Sequence, residues 1–188
     1  MSTVLESSSI QPKLPIILAS GSESRKQILN EAGIIFDVSV SDIDESEIKL
    51  KIGSLPHGEQ VIHLAKAKAA TVSKNNLGKI VIGGDQMCVL DNKVLHKPGS
   101  KENAIKSLRQ LSNQKHYQHS GVCIFKDGNC LWEYSETVEL KMHDLSDAEI
   151  ENYVEMENPI HAAGSYKFES LGSNLFTYVN GSSHTVRG

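Results

Sequence analysis

Residues 79–95, KIVIGGDQMCVLDNKVL, decide the fold class. Residues 79–84 form an apolar run that reads as a buried strand ending in Gly-Gly-Asp. Residues 87–90 and 93–95 then flank Asp91-Asn92, a hairpin turn. A strand that leads into a hairpin, with no GxGxxG and no GxxxxGK[ST] anywhere in the chain, is not the start of a doubly wound dinucleotide fold.

Upstream the pattern is strand, then helix. Residues 14–19 are a short apolar strand, Ser20-Gly21-Ser22 is a turn, and 23–33 predict a helix with Ile28, Leu29 and Ala32 inward and Gly33 as its stop. A second strand is predicted at 36–40, an acidic loop at 42–47, and a helix at 60–74 with Val61, Leu64, Ala65, Lys68 and Val72 on one face. Downstream come a helix at 101–111 capped by Ser100, two antiparallel strands at 116–126 and 131–140 around Asp127-Gly128, and a last strand at 175–179. Between them lies a helix at 146–157, where Ser146 and Glu149 have the spacing of a capping box. The order predicts an α/β fold around a long mixed, mostly antiparallel sheet.

Bulk properties limit the function classes. With 188 residues and a net charge of −4, the chain offers no basic stripe for nucleic acid or an anionic membrane, so its cations must be concentrated locally. No stretch approaches the ~20 apolar residues of a membrane span. Residues 1–13 are polar and Ser-rich, expected to be a disordered leader and not a secretory signal, and the protein is expected to be cytoplasmic. Cys88, Cys123 and Cys130 have neither metal-ligand spacing nor a paired framework and are expected to be small buried hydrophobes.

Five groups of residues carry chemistry. Ser20, Ser22, Ser24 and Arg25 sit between a strand and a helix, where free backbone N–H groups, small side chains and a bidentate guanidinium suit a phosphate; a turn with a solvated arginine is the plainer alternative. In the acidic loop Asp44 and Glu45 are candidate ligands for a hard cation, against a simple solvated turn. Asp85, beside Gly83, Gly84 and Gln86, is placed as a general base or metal ligand, with the glycines letting substrate approach; an Asx turn is the alternative. Lys97, fixed by Pro98, and Lys68, a cation on an apolar helix face, are the remaining cations, with snorkelling the alternative for Lys68. Glu169 ends a small-residue segment, 162–169, read as extended, with Lys167 and Glu169 on one side of an edge strand. Together these supply cations for phosphates and carboxylates for metal and water, a set that suits cleavage of a phosphoanhydride.

The sequence resembles the Maf family of nucleotide pyrophosphatases in ILASGSESRKQIL (17–29), DIDES (42–46), LAKAKA (64–69), VIGGDQMCVLDNKVLHKP (81–98), SLRQLS (107–112) and LSDAEIENYVEMENPIHAAGSYKFES (145–170). The resemblance implies a two-lobed fold over residues 14–188 with a central cleft, a homodimer, and metal-dependent hydrolysis of a nucleoside triphosphate to monophosphate and pyrophosphate, with Mg²⁺ or Mn²⁺ as cofactor. It implies that Asp85 is the proton acceptor and metal ligand, that Glu45, Arg25, Lys68 and Lys97 handle metal and phosphate, and that Ser24, Gln86 and Glu169 set substrate choice. Relatives acting on dTTP and UTP usually read GADT and DKAGAYGIQG where this chain reads GGDQ (83–86) and IHAAGSYKFES (160–170), so the resemblance is closest to the 7-methyl-GTP branch. A dTTP or UTP pyrophosphatase, or a nucleotide-binding regulator of cell division with little turnover, are the rival expectations. The chain departs from the family in having Glu23 and Ser24 before Arg25 instead of a proline or bulky residue, and in ending at Gly188, where the family continues with Leu-Pro and a closing helix.

Overall fold

The computed structural model describes residues 12–188; the expected leader therefore lies, except for Pro12 and Lys13, outside the described residues. The elements are β1 (Ile16–Leu18), α1 (Glu23–Glu31), β2 (Asp37–Val38), α2 (Glu45–Ile52), α3 (His57–Lys74), β3 (Ile80–Leu90), β4 (Lys93–Leu95), α4 (Lys101–Leu111), β5 (Lys115–Lys126), β6 (Asn129–Met142), α5 (Asp147–Glu157), β7 (Phe176–Asn180) and α6 (Ser183–Arg187). They build one mixed seven-stranded sheet in the order β2-β1-β3-β5-β6-β7, with β4 also on β3. β1 runs parallel to β2 and β3, and every other pairing is antiparallel, as expected. Both two-residue hairpins have positive φ at their central residues, Asp91 and Asn92 in one and Asp127 and Gly128 in the other, the geometry that matches strand twist.

β3 is the spine of the molecule, and it differs from the expectation. It runs unbroken through Gly83, Gly84 and Asp85, so Asp85 lies in mid-strand and not at a strand end. β5 pairs with β3 from Ile80 to Val89 on one edge. On the other edge β1 stops opposite Ile82 and β4 ends opposite Cys88, so residues 83–87 face a gap between two partner strands. That gap is the central cleft. Residues alternate across the sheet with period two. Val81, Gly83, Asp85, Met87 and Val89 face α3, and Gly84, Gln86 and Cys88 face α1, α6 and the 164–166 segment.

Glycine permits the close approach of α3. A Cβ on Gly83 would lie 2.5 Å from the Ala65 carbonyl and 2.7 Å from the Ala69 Cβ, and one on Gly121 would lie 2.9 Å from the Ile62 nitrogen. The core divides accordingly. One cluster joins Ile17, Ala65, Ala69, Val72, Val81 and Phe125; another joins Ile52, Val61, Leu64, Met87 and Val89; the largest packs α4 and α5 on Val138, Leu140, Met142, Tyr166 and Phe176.

Two more expectations are corrected. The acidic loop is the start of α2, because Asp44 Oδ1 accepts from the Ser46 and Glu47 backbone N–H groups and caps a helix. Residues 162–169 form no strand; Ala163–Ser165 is a 3-10 turn with left-handed Gly164 and Ser165. Cys88 and Cys123 are buried, and burial pushes both thiols up to about 12, whereas Cys130 is exposed. The capping box of α5 is present, with Ser146 and Glu149 bonding reciprocally.

A buried polar cluster joins β5 to the 162–169 segment, and its His116 is fully buried. Burial pulls the His116 pKa down from 6.5 to about 4, against the Gln114 backbone, which favours the charged form. A histidine whose folded pKa is depressed binds fewer protons than the unfolded chain between those two values. Stability is therefore intact above pH 6.5 and lost as pH falls toward 4, by on the order of 3 kcal/mol in full. The melting temperature should fall over this window, and His116→Gln should flatten part of that slope; an unchanged slope in the variant contradicts the assignment.

Candidate active site

The cleft edge of β3 collects side chains from both faces of the sheet. From the α3 side, Lys68 Nζ lies 2.6 Å from Asp85 Oδ1 and 2.9 Å from Glu45 Oε1. Lys68 and Asp85 are nearly buried, at 13% and 12% side-chain exposure, whereas Glu45 is 40% exposed. An ammonium with two carboxylate partners explains a lysine on the inner face of α3, and the snorkelling alternative fails. Lys49 also pairs with Glu45 at 3.2 Å, an i,i+4 contact on α2. Partial burial works to raise the Glu45 pKa, but the hydrogen bonds and charges of Lys68 and Lys49 outweigh it and hold the carboxyl below its ordinary value.

From the opposite side, Arg25 crosses Gly84. A Cβ there would lie 2.9 Å from Arg25 Nε, so Gly84 is small to admit the guanidinium, and Gly83 to admit α3; the sequence-based expectation that these glycines admit substrate is replaced by packing. Arg25 donates to Ser20 Oγ at 3.0 Å and to the Gly188 carbonyl at 3.2 Å. Burial lowers its pKa, while the charges of Asp85 and Glu45 raise it; an arginine remains protonated throughout. Ser20 Oγ also accepts from the Ser22 backbone N–H, which fixes the turn before α1. The Ser22 side chain makes no cap bond.

The three positions expected to govern substrate choice lie on this second side. Ser24 Oγ donates to Glu169 Oε1 at 3.1 Å, joining α1 to a segment 145 residues later. Gln86 Nε2 donates to the Thr185 and Val186 carbonyls at 3.0 and 2.8 Å. Lys97 is exposed on the loop after β4 and makes no hydrogen bond or ion pair with any described residue. A cavity of about 220 Å³ opens between α1, α6 and the sheet, lined by Leu18, Ile28, Leu29, Ile82, Tyr134 and Arg25 among others. None of Glu45, Lys68 and Asp85 lines it, so this mostly apolar space is separate from the carboxylate cluster.

The profile of the family described as Maf-like protein matches residues 15–188. The chain belongs to the Maf family. It is 41% identical over 174 residues to a nucleoside triphosphate pyrophosphatase of Legionella pneumophila strain Philadelphia 1, covering 93% of this chain and 87% of that protein. Proteins of the same name in Nitrobacter winogradskyi, at 35% identity over 176 residues, and Ruegeria pomeroyi, at 36% over 179, cover 93% of this chain and 87% and 90% of their own lengths.

For a Maf protein the implied cofactor is a divalent cation, and the donor set fits one. Two carboxylates of different elements, Glu45 and Asp85, converge on the single ammonium of Lys68, and their oxygens are the donor type a hard cation takes. Among the described residues no group of three or more His, Cys, Asp or Glu forms a ligand cluster. A cation bound here would take its protein oxygens from Glu45 and Asp85, with phosphate and water as the remaining ligands. The sequence did not signal the contacts from Thr185, Val186 and Gly188, which depend on where the chain returns. The Lys49 contact was available from its i,i+4 spacing.

Proposed function

We propose that this Maf chain hydrolyses a nucleoside triphosphate to the monophosphate and pyrophosphate, with 7-methyl-GTP as its preferred substrate and a divalent cation, Mg²⁺ or Mn²⁺, as cofactor. The observation that carries it is the Glu45–Lys68–Asp85 cluster facing Arg25 across Gly84. Asp85 takes a proton from a water that attacks the α-phosphorus, the α–β bridging P–O bond breaks, and pyrophosphate leaves. Lys68, 2.6 Å from Oδ1, orients Asp85. Arg25 and Lys97 neutralise the triphosphate and the charge on departing pyrophosphate. Glu45 and Asp85 would hold a divalent cation, which would supply charge neutralisation at the phosphates. Positioning and electrostatics supply most of the rate in such phosphoryl chemistry.

Glu169 carries the substrate preference. An ionised carboxylate only accepts hydrogen bonds, and guanine presents adjacent donors at N1 and N2, whereas thymine and uracil present one N–H between two carbonyls. Methylation at N7 leaves the ring with positive charge, which a carboxylate also favours. Glu169→Gln should lower the kcat/KM ratio of 7-methyl-GTP over dTTP by about tenfold, the difference between a charge-assisted and a neutral hydrogen bond. Pyrophosphate release from both nucleotides reads this out. An unchanged ratio contradicts the role of Glu169, and a wild-type preference for dTTP or UTP contradicts the substrate while leaving the chemistry.

A further inference from the structure

Glu169 sits on a segment without regular structure, and nothing in a 3-10 turn fixes a carboxylate to within an ångström. The rigidity comes from Tyr166, three residues earlier. Its ring is 4% exposed and packs edge-on to Phe176 at 4.9 Å and 73°. Its phenol oxygen accepts from Gln118 Nε2 at 2.7 Å and lies 3.0 Å from His116 Nε2, both on β5. Gln118 is the register partner of Cys88, two residues along β3 from Gln86 and on the same face. Gly164 completes the seat: a Cβ there would lie 2.7 Å from Cys88 Sγ and 2.9 Å from Tyr166 Cε1. Lys167 donates its backbone N–H to Tyr153 at 3.0 Å, so the chain is held on α5 as well before it reaches Glu169 and Ser24.

A packed aromatic core does not need this polar cluster. Burying an imidazole, an amide and a phenol together costs desolvation, and the cluster leaves Gln118 Oε1 and the neighbouring Ser165 Oγ without partners. What it provides is registry. A phenol held at one oxygen by two side chains of β5 fixes the segment's position along the strand direction, where apolar packing alone tolerates sliding.

We propose that Tyr166, held by Gln118 and His116, is a positioning residue that sets the place of Glu169 beside Ser24 and so governs nucleotide selectivity. This role rests on the assignment of Glu169 as the base-reading group. The test uses the full chain and the ratio of kcat/KM for its best purine triphosphate over its best pyrimidine triphosphate. Tyr166→Phe keeps the ring and removes the hydroxyl, and should lower the ratio roughly fivefold, the scale of one buried hydrogen bond. In a Glu169→Ala background the same substitution should change nothing further, because coupled residues are non-additive. A purely structural role would lower kcat for every nucleotide alike and leave the ratio intact. If Glu169→Ala shifts the ratio and Tyr166→Phe does not, or if Tyr166→Phe shifts it equally in both backgrounds, the positioning role is overturned alone. If Glu169→Ala leaves the ratio unchanged, the assignment of Glu169 falls and the role of Tyr166 with it. Gln118→Met, which deletes the donor and keeps the volume, takes the same test with the same outcomes should Tyr166→Phe fail to fold.

Discussion

Asp85→Asn should lower kcat by about 10²–10⁴-fold, the range of a general base, while KM for the nucleotide moves by no more than a few-fold. The substitution changes little else. The amide oxygen still accepts from Lys68, which sits 2.6 Å away, and Lys68 retains Glu45 at 2.9 Å as its ionised partner. What is lost is the capacity to take a proton from water, together with one negative ligand oxygen. In the proposed function the nucleotide is held by Arg25 and Lys97, which the substitution does not touch. A kcat within threefold of wild type would remove Asp85 from the proton transfer.

The second large effect is on stability, and it tests how the fold positions the site. Gly83→Ala should destabilise the protein by on the order of 3 kcal/mol, a melting-temperature loss of about 6–12 °C for a chain of this size. The new methyl would meet the Ala65 carbonyl at 2.5 Å and the Ala69 Cβ at 2.7 Å, both fixed in α3, and Cys123 Sγ at 3.0 Å. The helix must lift, and because Lys68 lies between those two contacts on α3, the Lys68–Asp85 bond should lengthen and kcat fall with stability. Gly84 provides the contrast. There a methyl meets Arg25 Nε at 2.9 Å and Cδ at 3.2 Å, parts of a flexible side chain that can give way, so stability should suffer less. Equal melting losses at the two positions, by thermal unfolding, would contradict the packing of α3 on β3.

Residues with a local cause were read correctly from the sequence. The Ser146–Glu149 capping box, the Asp127-Gly128 turn between β5 and β6, and the apolar face of α3 with Lys68 within it depend on neighbours a few positions away. The errors have distant or ambiguous causes. The Gly-Gly-Asp of β3 reads as a strand end, because nothing nearby shows that Ala65 and Arg25 require those glycines from elsewhere in the chain. Asp44 is as plausible a cation ligand as a helix cap until its two backbone donors are seen. The small residues at 162–165 mark close packing, as expected, but the partner is Cys88 and the geometry is a left-handed turn where a strand was predicted. Of the site, Glu45, Lys68, Asp85 and Arg25 come together, and Ser24 meets Glu169. The hold of residues 185–188 on Gln86 and Arg25 had no signal in the sequence.

In the proposed function Asp85 and its neighbours cut the α–β bond. The direct measurement is product analysis with Mg²⁺ and 7-methyl-GTP, wild type beside Asp85→Asn. Pyrophosphate and monophosphate in equal amounts from wild type, with release nearly abolished in the variant, is the predicted result. Orthophosphate in place of pyrophosphate, or undiminished release from Asp85→Asn, would contradict it.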